Sequence, residues 1–245
     1  MVQKMTKIDA RDSQQVYDRD AKDFADKAPS LLTYEFIGKP FILESLRRFV
    51  TVNPDTKALD VGSASGRIVE LLISQGIKAN NIMGVEISPN EVDIAKKRIP
   101  EAIFQVGDIV TFKLPSDTFD VVTSYMVWEF LDRDRLDKAF SNLNASMKPG
   151  GVLIYGTTHP GRYVGKYGVK DEGWVNTGGP WGGSFDNWYR TVEQFISQTE
   201  QAGFTIDQVQ ELDMPIEAAH AYPDRIKEFN SFGAPVRLTV VAHKR

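Results

Sequence analysis

The 245-residue chain contains no cysteine. Disulfides, thiol nucleophiles and thiolate metal sites are therefore excluded. Histidine is scarce: with three in all, a histidine base has only His159, His220 and His243 to come from. No apolar run approaches the ~20 residues of a membrane-spanning helix. The opening residues are polar (Gln3, Lys4, Lys7, Asp9, Arg11, Asp12), unlike a signal peptide, so the expectation is a cytoplasmic protein with no membrane partner. Positive charge is not in excess either, and a net charge of −4 argues against a broad nucleic-acid surface. Internal repeats and low-complexity blocks are missing. What is present, 42% hydrophobic and 25% charged residues, suffices for one good-sized core.

The stretch Ala58-Leu59-Asp60-Val61-Gly62-Ser63-Ala64-Ser65-Gly66-Arg67 reads as a buried strand that ends in a small-residue turn and opens a helix. Gly62, Ala64 and Gly66 strip side chains from the turn, so a ligand can approach the backbone. Ile68, Val69, Leu71, Leu72 and Ile73 follow at helical spacing, with Gly76 as the stop. A second strand, Ile82 to Glu86, then ends in an acid. A glycine turn followed by an acid at the next strand's end is how doubly wound folds hold an adenosine moiety. The spacing departs from the dinucleotide pattern G-x-G-x-x-G, and no Gly-Lys-Ser/Thr follows to make a phosphate loop.

With these residues in place, the segment resembles the first motif of S-adenosylmethionine-dependent methyltransferases of the Rossmann-like class, with Ala64 where that family usually has its middle glycine. The resemblance continues through Gly107-Asp108-Ile109 after a strand at 102–106, and through Phe119 to Ser124 as a fourth strand. Met147-Lys148-Pro149-Gly150-Gly151 then turns into a fifth strand at 152–156. It implies an α/β fold: a seven-stranded, mostly parallel sheet with helices on both faces and an antiparallel last strand. It implies S-adenosyl-L-methionine as cofactor, held by Asp60, Gly62, Ala64, Gly66, Glu86, Ile87, Asp108, Ile109, Ser124, Tyr125 and Tyr17. In the family the acid after the second strand bonds the ribose, and the acid of the Gly-Asp pair bonds the adenine amino group.

We read residues 1–245 as a single domain, with a cofactor-binding core at 51–156. Residues 1–50 form a helical cap, with apolar Val16, Tyr17, Ala21, Phe24 and Ala25 at helical spacing and a second helix from Pro40 to Val50; Tyr17 and Tyr34 are candidate pocket contacts. Residues 157–190 form a lid or acceptor insertion, dense in glycine and holding three of the four tryptophans (Trp174, Trp181, Trp188) besides Tyr163, Tyr167, Phe185 and Tyr189. A long loop without structure of its own is functional or disordered, and disorder is poor in aromatics. The expectation is therefore a lid over an apolar or aromatic acceptor. Residues 191–245 complete the sheet with strands at 205–212 and 236–242.

Methyl transfer from a sulfonium requires alignment and exclusion of water more than chemical assistance, but a hydroxyl acceptor needs a base. His159, just after the fifth strand, is the candidate base. Glu129 can orient an amine. Tyr189, beside Arg190, stands where some small-molecule methyltransferases carry a histidine. The acids Asp132, Asp134 and Asp137 read as a helix start rather than a metal site. Relative to nucleic-acid methyltransferases, the Asn/Asp-Pro-Pro-aromatic run is replaced by Thr123-Ser124-Tyr125-Met126. The cysteine of cytosine-C5 enzymes is missing, as is the second glutamate of protein arginine methyltransferases. The implied acceptor is a small molecule. Two alternatives stay open: a non-catalytic S-adenosylmethionine-binding protein, and a nucleotide-dependent oxidoreductase.

Overall fold

The computed structural model describes residues 17–18, 21–22, 31–178, 184–223, 226 and 233–245. Val16, Phe24, Ala25 and Trp181 lie outside the described residues, as does the side chain of Phe185.

Residues 17–18 and 21–22 are helical, and a π-helical turn, Tyr34–Gly38, runs into α1, Lys39–Phe49. The core alternates strands and helices: β1 (Ala58–Val61), α2 (Arg67–Ser74), β2 (Ile82–Glu86), α3 (Pro89–Arg98), β3 (Ile103–Val106) and β4 (Phe119–Tyr125). A 3-10 turn, Trp128–Phe130, precedes α4 (Arg133–Ser146) and β5 (Met147–Thr158). There follow α5 (Gly161–Tyr167), β6 (Gly173–Gly178), β7 (Ser184–Tyr189), α6 (Val192–Gln201), β8 (Phe204–Leu212), α7 (Ile216–Ala221) and β9 (Arg237–Lys244). Local chemistry sets the helix starts. Ser88 and Asp132 accept amides of Glu91 and Arg135, and Pro89 occupies the first turn of α3. Thr191 and Gln194 form a reciprocal capping box at α6. Asp132 is thus a cap, as the helix-start reading expects.

Seven strands form one sheet in the order β3-β2-β1-β4-β5-β9-β8. The β1–β5 pairs are parallel, and β9 runs antiparallel to both β5 and β8. The alternation of β1 explains why the sheet is covered twice. Leu59 and Val61 join one cluster with Trp128, Phe140, Leu143 and Phe195; Ala58 joins the other with Phe41, Ile42, Leu46, Val69, Leu72 and Val92. Strand order reverses between β1 and β4, so a crevice opens outside their carboxyl ends. Among the described residues no helix is long and apolar enough to cross a membrane.

Two expectations are corrected. The Lys148-Pro149-Gly150-Gly151 turn lies within β5, as an irregularity between the pairs Phe119–Met147 and Val121–Val152; Gly150 does take the left-handed conformation, at φ 74°. The stretch after β5 is not structureless either. It holds α5 and a two-stranded hairpin, β6–β7, whose Trp174 and Trp188 rings meet edge-on at 5.2 Å. Glu172 pins the base of this hairpin by accepting from Trp188 Nε1 (3.0 Å), Gln194 Nε2 (3.0 Å) and the Arg133 guanidinium.

Candidate active site

The turn after β1 carries the site. Gly62 (φ 69°), Ala64 (φ 42°) and Gly66 (φ 87°) all take the left-handed region. A Cβ on Gly62 would fall 2.2 Å from Val127 Cγ2, so glycine is required there by space as well as by conformation. Glu86, at the end of β2, closes the turn: its Oε2 accepts the Ala64 amide and its Oε1 the Ser88 amide, both at 3.0 Å. Burial pushes the Glu86 carboxyl up, and those amide bonds partly offset the shift.

Around this turn lies a cleft with ≈ 740 Å³ of empty space including its mouth, lined by Tyr17, Gly62, Ala64, Glu86, Ile87, Asp108 and Ile109 among others. These seven come from the set named on sequence grounds. Val127, Phe130, Leu131 and Arg135 line it too, and the sequence reading missed them. Phe130 ends, and Leu131 follows, the 3-10 turn that Arg190 holds in place. Its guanidinium donates to the carbonyls of Trp128 (3.2 Å) and Leu131 and stacks on Phe195 at 4.9 Å. Burial pushes the Arg190 guanidinium down to about 10. Asp108 accepts the Val110 amide (3.0 Å) and Arg135 Nη2 (2.8 Å), so it is anchored with lone pairs to spare.

The structure places the remaining candidates elsewhere. Gly66 caps α2 and faces Ile99 and Phe104. Asp60 is fully buried beneath the turn, where Thr123 Oγ1 donates to its Oδ1 (2.9 Å) while Oδ2 has no partner. Burial pushes its pKa up to about 8. Ser124 is buried with its hydroxyl unpartnered. Tyr125 turns toward the cap: its hydroxyl donates to Thr33 O at 3.2 Å, and its ring abuts Gly38 and Gly156. Tyr34 packs edge-on against it. Asp60 and Tyr125 face the α1 side of the sheet, because they alternate with Leu59, Val61 and Val122 of the other cluster.

The candidate catalytic residues are also separated. Glu129 is buried at the carboxyl edge of the sheet, where its oxygens accept Thr157 Oγ1 (2.9 Å) and Thr158 Oγ1 (3.4 Å). Burial raises its pKa. It acts electrostatically on Tyr17, which lines the cleft, and on Tyr163 of α5. The base expectation for His159 meets an obstacle, because both ring nitrogens are engaged. Nδ1 accepts the Gly161 amide (3.1 Å), and Nε2 contacts Glu211 (2.7 Å). That pattern puts the proton on Nε2 and leaves no nitrogen for an acceptor. Tyr189 is buried in a cluster with Tyr163 and Val175, away from the cleft. His220 lies on α7, and His243 pairs with Asp207.

Comparisons with known proteins agree with this geometry. Residues 59–155 match the family model described as a methyltransferase domain. An uncharacterized methyltransferase of Oceanobacillus iheyensis is 25% identical over 109 residues, 44% of this chain and 50% of that protein. The phosphoethanolamine N-methyltransferase of Plasmodium falciparum is 30% identical over 132 residues, 49% of each chain. The chain thus spans about half the length of these curated relatives. The crystal structure of an S-adenosylmethionine-dependent methyltransferase from Mesorhizobium loti superimposes with a TM-score of 0.64 at 19% identity, covering 82% of this chain and 96% of that one. Residues 59–155 of this chain thus match a methyltransferase domain, and the chain shares its fold with solved S-adenosylmethionine-dependent methyltransferases.

Proposed function

We propose that this chain transfers a methyl group from S-adenosylmethionine to a small-molecule acceptor in the cytoplasm. The observation that carries the reading is the cleft outside the carboxyl ends of β1 and β2, with a buried acid at the end of β2 and a second acid, Asp108, after β3. The residues suit the cofactor. Glu86 keeps lone pairs for ribose hydroxyls beyond its two amide bonds, Asp108 would meet the adenine amine, and Ile87 and Ile109 offer apolar surface to its ring.

When bound, the cofactor supplies an already activated methyl group. The chain's own residues align the acceptor and keep water out. Tyr17 and Phe130, in edge contact at 5.7 Å, roof the cleft. Glu129 replaces His159 as the group we assign to the acceptor. A buried carboxylate with a raised pKa is suited to accepting a proton or a hydrogen bond from an amine or hydroxyl. Tyr163 packs on Tyr189 and Trp174 on Trp188 within the insertion, which weakens the case for an aromatic acceptor. A relative named for phosphoethanolamine supports a small acceptor. Neither the non-catalytic nor the oxidoreductase alternative gains support from a specific contact.

Titration calorimetry with S-adenosylhomocysteine, with NADH alongside, tests the reading. Binding of S-adenosylhomocysteine alone is expected. Binding of NADH alone would overturn it.

A further inference from the structure

Beyond the cleft, the carboxyl edge of the sheet carries two arginines that methyl alignment does not explain. Arg237 opens β9 and is only 8% exposed. Its Nε donates to the Tyr125 hydroxyl (3.2 Å), Nη1 to Val236 O (2.9 Å) and Nη2 to Thr33 Oγ1 (2.9 Å). All three are neutral groups. The buried Glu129 carboxylate acts on Arg237 electrostatically without bonding it, so a directly hydrogen-bonded opposite charge would offset more of this cation's desolvation penalty.

The second arginine is brought to the same place by backbone geometry. His159 N donates to Val236 O (3.3 Å), and a Cβ on Gly161 would fall 2.9 Å from Ala234 Cβ. The first turn of α5, which carries Arg162, is therefore packed against the chain leading into Arg237. Burial, and then the charge of Arg237, push the Arg162 guanidinium down to about 10, against the opposing pull of Asp213. The neighbours also supply hydroxyls. Tyr163 bonds Thr158, and Thr158 bonds Glu129. Glu129 feels the Arg237 charge and acts electrostatically in turn on Tyr17 of the cleft.

We propose that Arg237 and Arg162 form an oxyanion-binding subsite, and that the methyl acceptor carries a carboxylate or phosphate that docks there. Two guanidiniums present forked donors suited to either group. The anion end then sits at β9 and α5 while the reacting end points toward Glu129 and the cleft. This assignment rests on the methyltransferase reading above for the identity of the ligand.

A rival role for Arg237 is a strap that ties Thr33 to the sheet. That role needs no contribution from Arg162, which separates the two. The full chain is titrated calorimetrically with inorganic phosphate and, separately, with malonate, each against chloride at equal ionic strength, with and without saturating S-adenosylhomocysteine. Saturable binding of at least one of the two anions is expected, and which one binds tells phosphate from carboxylate. Arg162→Gln, half-buried and expected to fold as the parent does by circular dichroism, should weaken that binding by about tenfold or more, with Arg162→Lys intermediate. Binding of neither anion above chloride, or unchanged binding in Arg162→Gln, would overturn the subsite. If S-adenosylhomocysteine binds and the anions do not, the subsite is wrong and the methyltransferase reading stands. Anion binding without S-adenosylhomocysteine binding would keep the subsite and overturn the methyltransferase reading.

Discussion

Ala64 occupies a backbone conformation that suits glycine, with φ at 42°, and the turn forms nonetheless because Glu86 captures its amide. The left-handed region costs a residue with a Cβ roughly 1–2 kcal/mol. Ala64→Gly should relieve part of that while adding freedom to the unfolded chain, for a net gain of up to about 1 kcal/mol. The check is a higher denaturant midpoint at constant m-value, with S-adenosylhomocysteine affinity retained or improved. A lower midpoint would mean that the turn carries no strain. Asp60 is the second residue with a measurable signature. Burial raises its folded pKa to about 8, and the charge of Glu86 adds to the shift against the Thr123 hydrogen bond. Between its unfolded value near 4 and about 8 the native state binds the extra proton, so this contribution is complete at low pH and is lost as pH rises through that window. Asp60→Asn should flatten the pH dependence of stability there and leave the apo protein more stable above about pH 8. An unchanged profile would show that Asp60 titrates normally. At this scale the sequence made Gly62, Glu86 and Asp108 legible, because turn geometry and strand ends are local. It hid the occupancy of the His159 nitrogens, since Glu211 lies on another strand.

Among the elements, the insertion after β5 was visible as a special segment and not as a structure. Its aromatics marked it, but its glycines masked a hairpin whose partners are read only once Trp174 and Trp188 face each other. Glu172 decides how firmly that hairpin is seated. Burial works against its ionisation, yet the Arg133 and Trp188 hydrogen bonds hold its carboxyl below the usual range. A depressed carboxylate contributes stability above its unfolded pKa, and that contribution is lost as pH falls through the folded value. Glu172→Gln should therefore lower the unfolding midpoint at neutral pH and lose its effect in acid. It should also speed amide exchange in residues 173–178 and 184–189 more than in the β1–β5 core. Uniform exchange across the two regions would argue that the hairpin is held by its own ring contacts. The Lys148–Gly151 stretch behaves in a related way. Its Pro and glycines correctly announced a break in regular backbone, but β4 recruits the break into the sheet.

Taken whole, the molecule closes its site with segments from both ends of the chain, and that is the part least accessible to sequence. Strand–helix alternation from β1 to β5 specifies a parallel sheet, because the central strands are apolar and the helices between them have an apolar face. Which distant segments meet over the carboxyl edge depends on contacts such as Arg237 with Thr33, separated by most of the chain. The helical residues 17–18 show the consequence for ligand binding. Asp18 Oδ1 accepts Ser88 Oγ and the Asn90 amide, both at 3.0 Å, and its carbonyl accepts Asn90 Nδ2 at 2.8 Å. This latch fixes Asp18 to the start of α3 and so holds the neighbouring Tyr17 over the cleft. Asp18→Ala removes both carboxylate bonds and leaves the sheet untouched. Its expected effect is faster release of S-adenosylhomocysteine, by about tenfold for two lost hydrogen bonds, with association little changed. Stopped-flow displacement measures this directly, and the far-UV circular dichroism should match that of the parent. Equal release rates would show that Tyr17 lines the cleft without confining its ligand.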